Sequence, residues 1–268
     1  MPRNESLSRF TPKFQRFADL ASKSWAYTLG ALEQPQTLPF LLASAADGAH
    51  LGQLIRLNRH RRWIQSARIR TIVDVGANTG QFSSAMAALL PDASIYAFEP
   101  LPNCFAQLSR RLKKRDNFRG FMLALGDQAG EATLWRSSFS ESSSLLTMTD
   151  LHKESFPWSA EHTPQTVRVD TLDAFLPELK LEARVFLKLD VQGFEGRVLR
   201  GAERVLTYVH YVLAETSFQP LYEGQDSFEE IFLFLGDHGF EYKGSLDQLS
   251  SPADGGILEA DALFVRKS

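Results

Sequence analysis

From Thr71 onward the chain alternates between two kinds of apolar spacing. Short runs of β-branched and aromatic residues, TIVDV (71–75), SIYAFEP (94–100), FRGFMLAL (118–125), ARVFLKLD (183–190) and YVHYVLAE (208–215), read as buried strands. Between them, apolar residues three and four apart predict helices after Asn78, after Pro102, around Glu195 to Leu206 and around Ser227 to Leu235. Strands separated by amphipathic helices predict an α/β fold, a parallel sheet with right-handed crossovers. Near the C-terminus, FEYKG and ADALFVRK flank a polar, glycine-containing loop and predict a hairpin, which places an antiparallel strand last in the sheet.

Two regions stand outside this alternation. Residues 1–69 read as a helical extension packed on the main domain, 70–268. Phe14, Phe17, Leu20 and Ala21 recur at helical spacing, as do Leu51, Leu54, Ile55 and Leu57, and the two prolines of EQPQTLPF predict a break between them. The interval from about 126 to 170 is too long for an ordinary connection. Two short strands, ATLW and TVRV, with a loop between them account for it. That loop would lie over the carboxyl edge of the sheet, where open α/β folds bind ligands.

The chain has 268 residues, 44% of them hydrophobic, enough for one large core with an appendage. Its formal net charge of -3 gives no whole-protein attraction for nucleic acid or anionic membranes. The basic residues Arg56, Arg59, Arg61, Arg62, Arg68 and Arg70 read as a solvated helix face. Cys104 is the one cysteine, so neither an internal disulfide nor a cysteine-based zinc site is expected, and a reducing compartment fits. No apolar run reaches membrane-spanning length, and the expectation is a soluble cytoplasmic protein, with a homodimer possible.

The stretch VDVGANTGQF (73–82) carries the chemistry. Asp74, Gly76, Asn78 and Gly80 form D-x-G-x-N-x-G at a strand-to-helix turn. The glycines let the backbone bend and approach a ligand, and Asn78 tolerates unusual dihedrals. A carboxylate at the end of a buried strand needs a partner, and a cationic ligand group could be one. A pyrophosphate would be repelled there, and the spacing departs from G-x-G-x-x-G. S-adenosylmethionine, with its ammonium, sulfonium and ribose diol, suits the turn better. Glu99, ending the next strand, can accept both ribose hydroxyls, and Pro100 shapes the turn after it. Asp127, in ALGD, is positioned to bind the adenine amino group. Ala77 and Leu125 complete the expected cofactor contacts.

VDVGANTGQF, AFEPLP, ALGD, VDTLD (169–173), LKLDVQGFEGRVLRGA (187–202) and AETSF (214–218), in this order, resemble the FkbM family of S-adenosylmethionine-dependent methyltransferases. The resemblance runs from about Thr71 to the C-terminus. It implies a class I methyltransferase (Rossmann-like) fold with a seven-stranded sheet in the order 3-2-1-4-5-7-6, and O-methylation of natural products or sugars. On that resemblance Asp74, Gly76, Asn78, Gly80 and Glu99 are cofactor residues, and the product is S-adenosylhomocysteine.

A hydroxyl acceptor must lose a proton, which calls for a general base or a metal ion. Asp190 is the first candidate, as base or as a contact to the cofactor's methionine part. Glu215 ends the fifth strand and faces the same crevice. Together they could hold a divalent cation, though a sugar's hydroxyls suit two carboxylates equally and no metal ligand is assigned. Glu195 could instead cap its helix. Among the histidines, His152 in the inserted segment is the catalytic candidate, ahead of His162, His210 and His60. Ser142, Ser143 and Ser144, with Trp135, Phe156, Trp158 and Tyr222, are candidates for the acceptor's surroundings. Two competing readings are a nicotinamide-dependent oxidoreductase and a non-catalytic methyltransferase-like binding subunit.

Overall fold

Alternate residues along each central strand supply two different cores, one on either face of the sheet. In the computed structural model, which describes residues 37–46 and 48–267, strand β1 (Thr71–Val75) is buried throughout. Ile72 points to a core shared with Ile95, Phe82 and Phe186, whereas Val73 and Val75 join Phe98, Leu187 and Leu189 on the other face. A strand buried on both faces reads as an unbroken apolar run, which is why TIVDV and ARVFLKLD were legible as central strands.

The chain enters this sheet through three short helices, α1 (Leu38–Ala46), α2 (Leu51–Asn58) and α3 (Arg61–Ser66). Leu41, Leu54, Ile55, Leu57 and Ile64 belong to the same core as Ile72 and Met86, so the described part of the extension is packed on the sheet. Of the stretch EQPQTLPF, residues 33–36 lie outside the described residues, and Pro39 sits in the first turn of α1, where a missing N–H leaves no hydrogen bond unmade. Phe14, Phe17, Leu20 and Ala21 lie outside the described residues.

After β1 come α4 (Gln81–Leu89), β2 (Ser94–Phe98), α5 (Pro102–Leu112) and β3 (Phe118–Phe121). FRGFMLAL is not one strand: beyond Phe121 the exposed Met122 interrupts it, and β4 (Ala124–Leu125) leaves for a second sheet. There β4 pairs with β6 (His162–Asp170), which in turn pairs antiparallel with β5 (Gly130–Ser137), giving the order β4-β6-β5. ATLW and TVRV fall within β5 and β6. Between those strands the insertion carries α6 (Asp150–Ser155).

The main sheet resumes with β7 (Val185–Leu189), α7 (Glu195–Arg200), α8 (Glu203–Leu206), β8 (Val209–Ser217), α9 (Phe228–Asp237), β9 (Phe240–Ser250) and β10 (Ile257–Arg266). The helix expected over 195–206 is split at Gly201, where a Cβ would stand 2.0 Å from the Gly126 carbonyl oxygen. Main-sheet order is β3-β2-β1-β7-β8-β10-β9, with β10 antiparallel to both neighbours. Renumbered within that sheet, this is 3-2-1-4-5-7-6 with the last strand reversed, the class I methyltransferase order. No described helix is long and apolar enough to cross a membrane.

Candidate active site

Parallel strands β1, β2 and β7 end at one edge of the sheet, and the loops leaving them line a cavity of about 550 Å³. Its floor is Val75 to Asn78, Glu99 to Leu101 and Asp190 to Gln192. The inserted segment covers it with residues 139–145 and with His152, Phe156 and Trp158.

The first turn is built more for the sheet than for a ligand. Gly76 has φ +78, and a Cβ there would lie 1.8 Å from the Asp190 carbonyl oxygen, so the close approach is that of the β7 loop. Gly80, at φ +83, packs against Leu108 of α5 and does not line the cavity. Asn78 takes the left-handed conformation at φ 47; Gly80, not Asn78, precedes the helix.

Asp74 is fully buried and does not reach the cavity wall. The cation it needs comes from the protein. Lys188, its register partner on β7, holds Nζ 3.6 Å from Asp74 Oδ1 and 3.0 Å from Asp190 Oδ2. Ser83 of α4 donates to Asp74 Oδ2 at 2.6 Å. Burial pushes the Asp74 carboxyl above its ordinary range, with Lys188 and Ser83 opposing. Burial also works against the charge of Lys188, but Asp190 and Asp74 outweigh it and hold its proton above the usual lysine range. Asp74, expected to meet a ligand's ammonium group, is paired here with Lys188 and Ser83.

Glu99 does face the cavity. Its two carboxylate oxygens accept from the main-chain N–H of Asn78 at 2.9 Å and of Leu101 at 2.8 Å. Burial raises its pKa to about 7 against those donors. Each oxygen keeps a lone pair, which fits the diol of a ribose. Pro100, Ala77 and Leu125 line the same end, beside the apolar Phe98 and Leu123. Asp127 is the exception: it is exposed and outside the cavity lining, because Gly126 pairs with Asp170 and turns the chain away.

Gln192 joins the residues that sequence reasoning left separate. Its Nε2 donates to Asp190 Oδ1 at 3.1 Å and also to Glu215. Its Oε1 accepts from the Tyr222 hydroxyl at 2.7 Å, and its main-chain carbonyl accepts from Ser144 Oγ at 2.6 Å. Burial opposes ionisation of Asp190, yet Lys188 and Gln192 outweigh it and hold the carboxyl below its ordinary range. Glu215 behaves oppositely. Burial and the nearby carboxylates of Glu259 and Asp190 push it well above the usual value. Asp261 faces it in the β8–β10 register. Sequence reasoning missed Asp261 and Glu259, although their antiparallel register opposite AETS was the available signal.

His152 lines the cavity, but its ring is held between Phe156 and Tyr222, with Nε2 3.1 Å from Ser159 Oγ. Burial lowers its pKa to about 4, so it is a weak base. Glu195 turns inward and accepts from Val191 N at 2.7 Å, fixing the loop above β7. Trp135 and Tyr222 pack beside the cavity without lining it. Among the described residues, no three His, Cys, Asp or Glu side chains converge as a metal-holding group.

Methyltransferase sdnD of Sordaria araneosa is 30% identical over 193 residues, covering 63% of this chain and 73% of that protein. Methyltransferase 1 of Beauveria bassiana is 28% identical over 184 residues, covering 63% and 71%. A solved precorrin-6y C5,15-methyltransferase from Geobacter metallireducens is 14% identical, covers 77% of this chain and 88% of its own, and has a TM-score of 0.41. Residues 74–242 match the methyltransferase FkbM domain, and the chain belongs to that family.

Proposed function

We propose that the protein transfers a methyl group from S-adenosylmethionine to a hydroxyl of a small molecule, such as a sugar, glycan or natural product. The observation that carries this reading is that Glu99 and the Asp190–Gln192–Glu215 chain open onto one cavity at the carboxyl edge of the sheet. At one end Glu99 would accept the ribose hydroxyls, with Phe98, Leu123 and Leu125 beside the base and Asp190 at the amino-acid part. When bound, this cofactor supplies an electrophilic methyl group on a sulfonium. The protein's remaining tasks are to hold the acceptor in line and to take its proton.

For the proton, Glu215 suits the task better than Asp190. A carboxylate held ionised by Lys188 is a weak base, whereas burial and neighbouring acids raise the proton affinity of Glu215. Asp190 then fixes Gln192 and the cofactor. His152 is left to shape the aromatic wall.

The test is a ligand screen followed by label transfer. S-adenosylmethionine and S-adenosylhomocysteine should raise Tm, and NAD should not; the opposite result would favour an oxidoreductase. Methyl label should then pass to members of a panel containing a methyl hexoside, glucosamine, glucuronate and a catechol. Binding without transfer would make the protein a binding subunit.

A further inference from the structure

Helix α2 precedes the family-matched region, and the Leu246–Asp261 segment of the β9–β10 hairpin follows it, yet the two meet across the cavity. Gln53, Arg56, Arg59 and His60 line it from one side, and Leu246 to Ser250 with Glu259 and Asp261 from the other. The meeting point is an irregularity in the hairpin. Ala260 pairs with Gln248 and Ala262 with Ser245, so β9 has one residue more than β10 between these pairs, a bulge at Leu246–Asp247 opposite Asp261. A bulge re-aims side chains and is a common device beside binding sites.

Arg56 and His60 both reach this bulge from the N-terminal side. Arg56 is ion-paired with Asp247 and lies 3.8 Å from Asp261 Oδ2. The His60 ring nitrogen Nε2 is 3.3 Å from the Leu246 carbonyl oxygen. Helix α2 is firmly placed to make them. Leu54, Ile55 and Leu57 are buried against α4, and the His50 main-chain N–H donates to Ser84 Oγ at 3.0 Å. Asp261, held beside Arg56, stands opposite Glu215 in register. The clamp therefore reaches the group assigned to the acceptor's proton through one intervening side chain.

We propose that the acceptor is selected by the wall formed from residues 53–60 and the Leu246–Asp247 bulge, with Arg56 as the positioning residue that sets Asp261 beside Glu215. This rests on the methyltransferase reading and adds where its selectivity lies. Glu99 and the first turn lie within the family-matched segment, whereas this wall lies outside it on both sides. Arg56 faces Asp247 and Asp261, and through them the field of Asp190, Lys188, Glu215 and Glu259.

Arg56→Gln and Arg56→Lys are the variants to compare with wild type, with Asp247→Asn removing only the outer half of the clamp. Affinity for S-adenosylhomocysteine should stay at the wild-type value in all of them. In Arg56→Gln, KM for the best-used member of the acceptor panel should rise about tenfold with kcat less affected, and Arg56→Lys should recover part of it. Burial raises the Asp261 pKa to about 6 against the opposing charge of Arg56, and carboxyl NMR should show its titration moving to higher pH in Arg56→Gln. An acceptor KM and ranking unchanged in Arg56→Gln would overturn the inference alone. Parallel loss of S-adenosylhomocysteine affinity would reduce Arg56 to a general structural role. A wild type that binds no S-adenosylhomocysteine would instead remove the reading beneath it.

Discussion

Lys188 lies between two carboxylates in the middle of the sheet, and its ring neighbour Phe82, 5.4 Å from Nζ, closes it from the other side. Removing one partner of such a buried set leaves charge without compensation. Lys188→Met should destabilise the protein by about 3–5 kcal/mol in denaturant titration. A second substitution, Asp74→Leu, should recover part of that loss. Asp74 illustrates what a sequence conceals. Its need for a cation was legible, but the cation comes from a residue over a hundred positions away, and only the β1–β7 register brings them together. Glu99 was legible because strand end and turn are local. With its pKa raised to about 7, its ionised form, the one that accepts two hydroxyls, becomes dominant as pH rises through that value. Affinity for S-adenosylhomocysteine should therefore increase between about pH 6 and pH 8, and calorimetry should show that increase flattened in Glu99→Gln.

At the level of elements, the loop between β7 and α7 is fixed from both sides. Gly76 admits the Asp190 carbonyl from below, and Glu195 ties Val191 from above. Gly76→Ala should cost more than the roughly 1–2 kcal/mol of placing a side chain in the left-handed region, because the strand ends must also part; the folded fraction and Tm measure it. Glu195 gives the pH dependence its sign. Burial raises its folded pKa to about 8, above the unfolded value, so the native state binds the extra proton. Its contribution is complete below the unfolded pKa and is lost as pH rises through about 8. Tm should fall across this window, and Glu195→Gln should reduce the slope. Element types and order were largely readable from periodicity, since strands buried on both faces leave long apolar runs. The ends of elements were not. β3 stops where Met122 turns to solvent, because packing partners decide such boundaries.

For the whole molecule, the cavity takes its floor from the matched family region, its cover from the insertion and its far wall from the two flanks. The basic residues of the N-terminal flank read in sequence as a solvated face. Arg56 shows why composition was insufficient: its partners are on the last two strands, and a bulge that no periodicity reveals turns one of them toward it. Glu215 predicts the activity profile. As its carboxyl sits well above the usual range, turnover should climb with pH, and Glu215→Gln should lose about 10²–10⁴-fold in kcat with its ascending limb. Gln192 links floor, wall and cover: its side-chain amide holds Asp190, Glu215 and Tyr222, and its main-chain carbonyl accepts from Ser144. An incoming hydroxyl that takes over Glu215 must compete for that amide, so occupancy is signalled outward by exchange of one hydrogen bond, and amide protons around residues 142–145 would register the substrate's arrival.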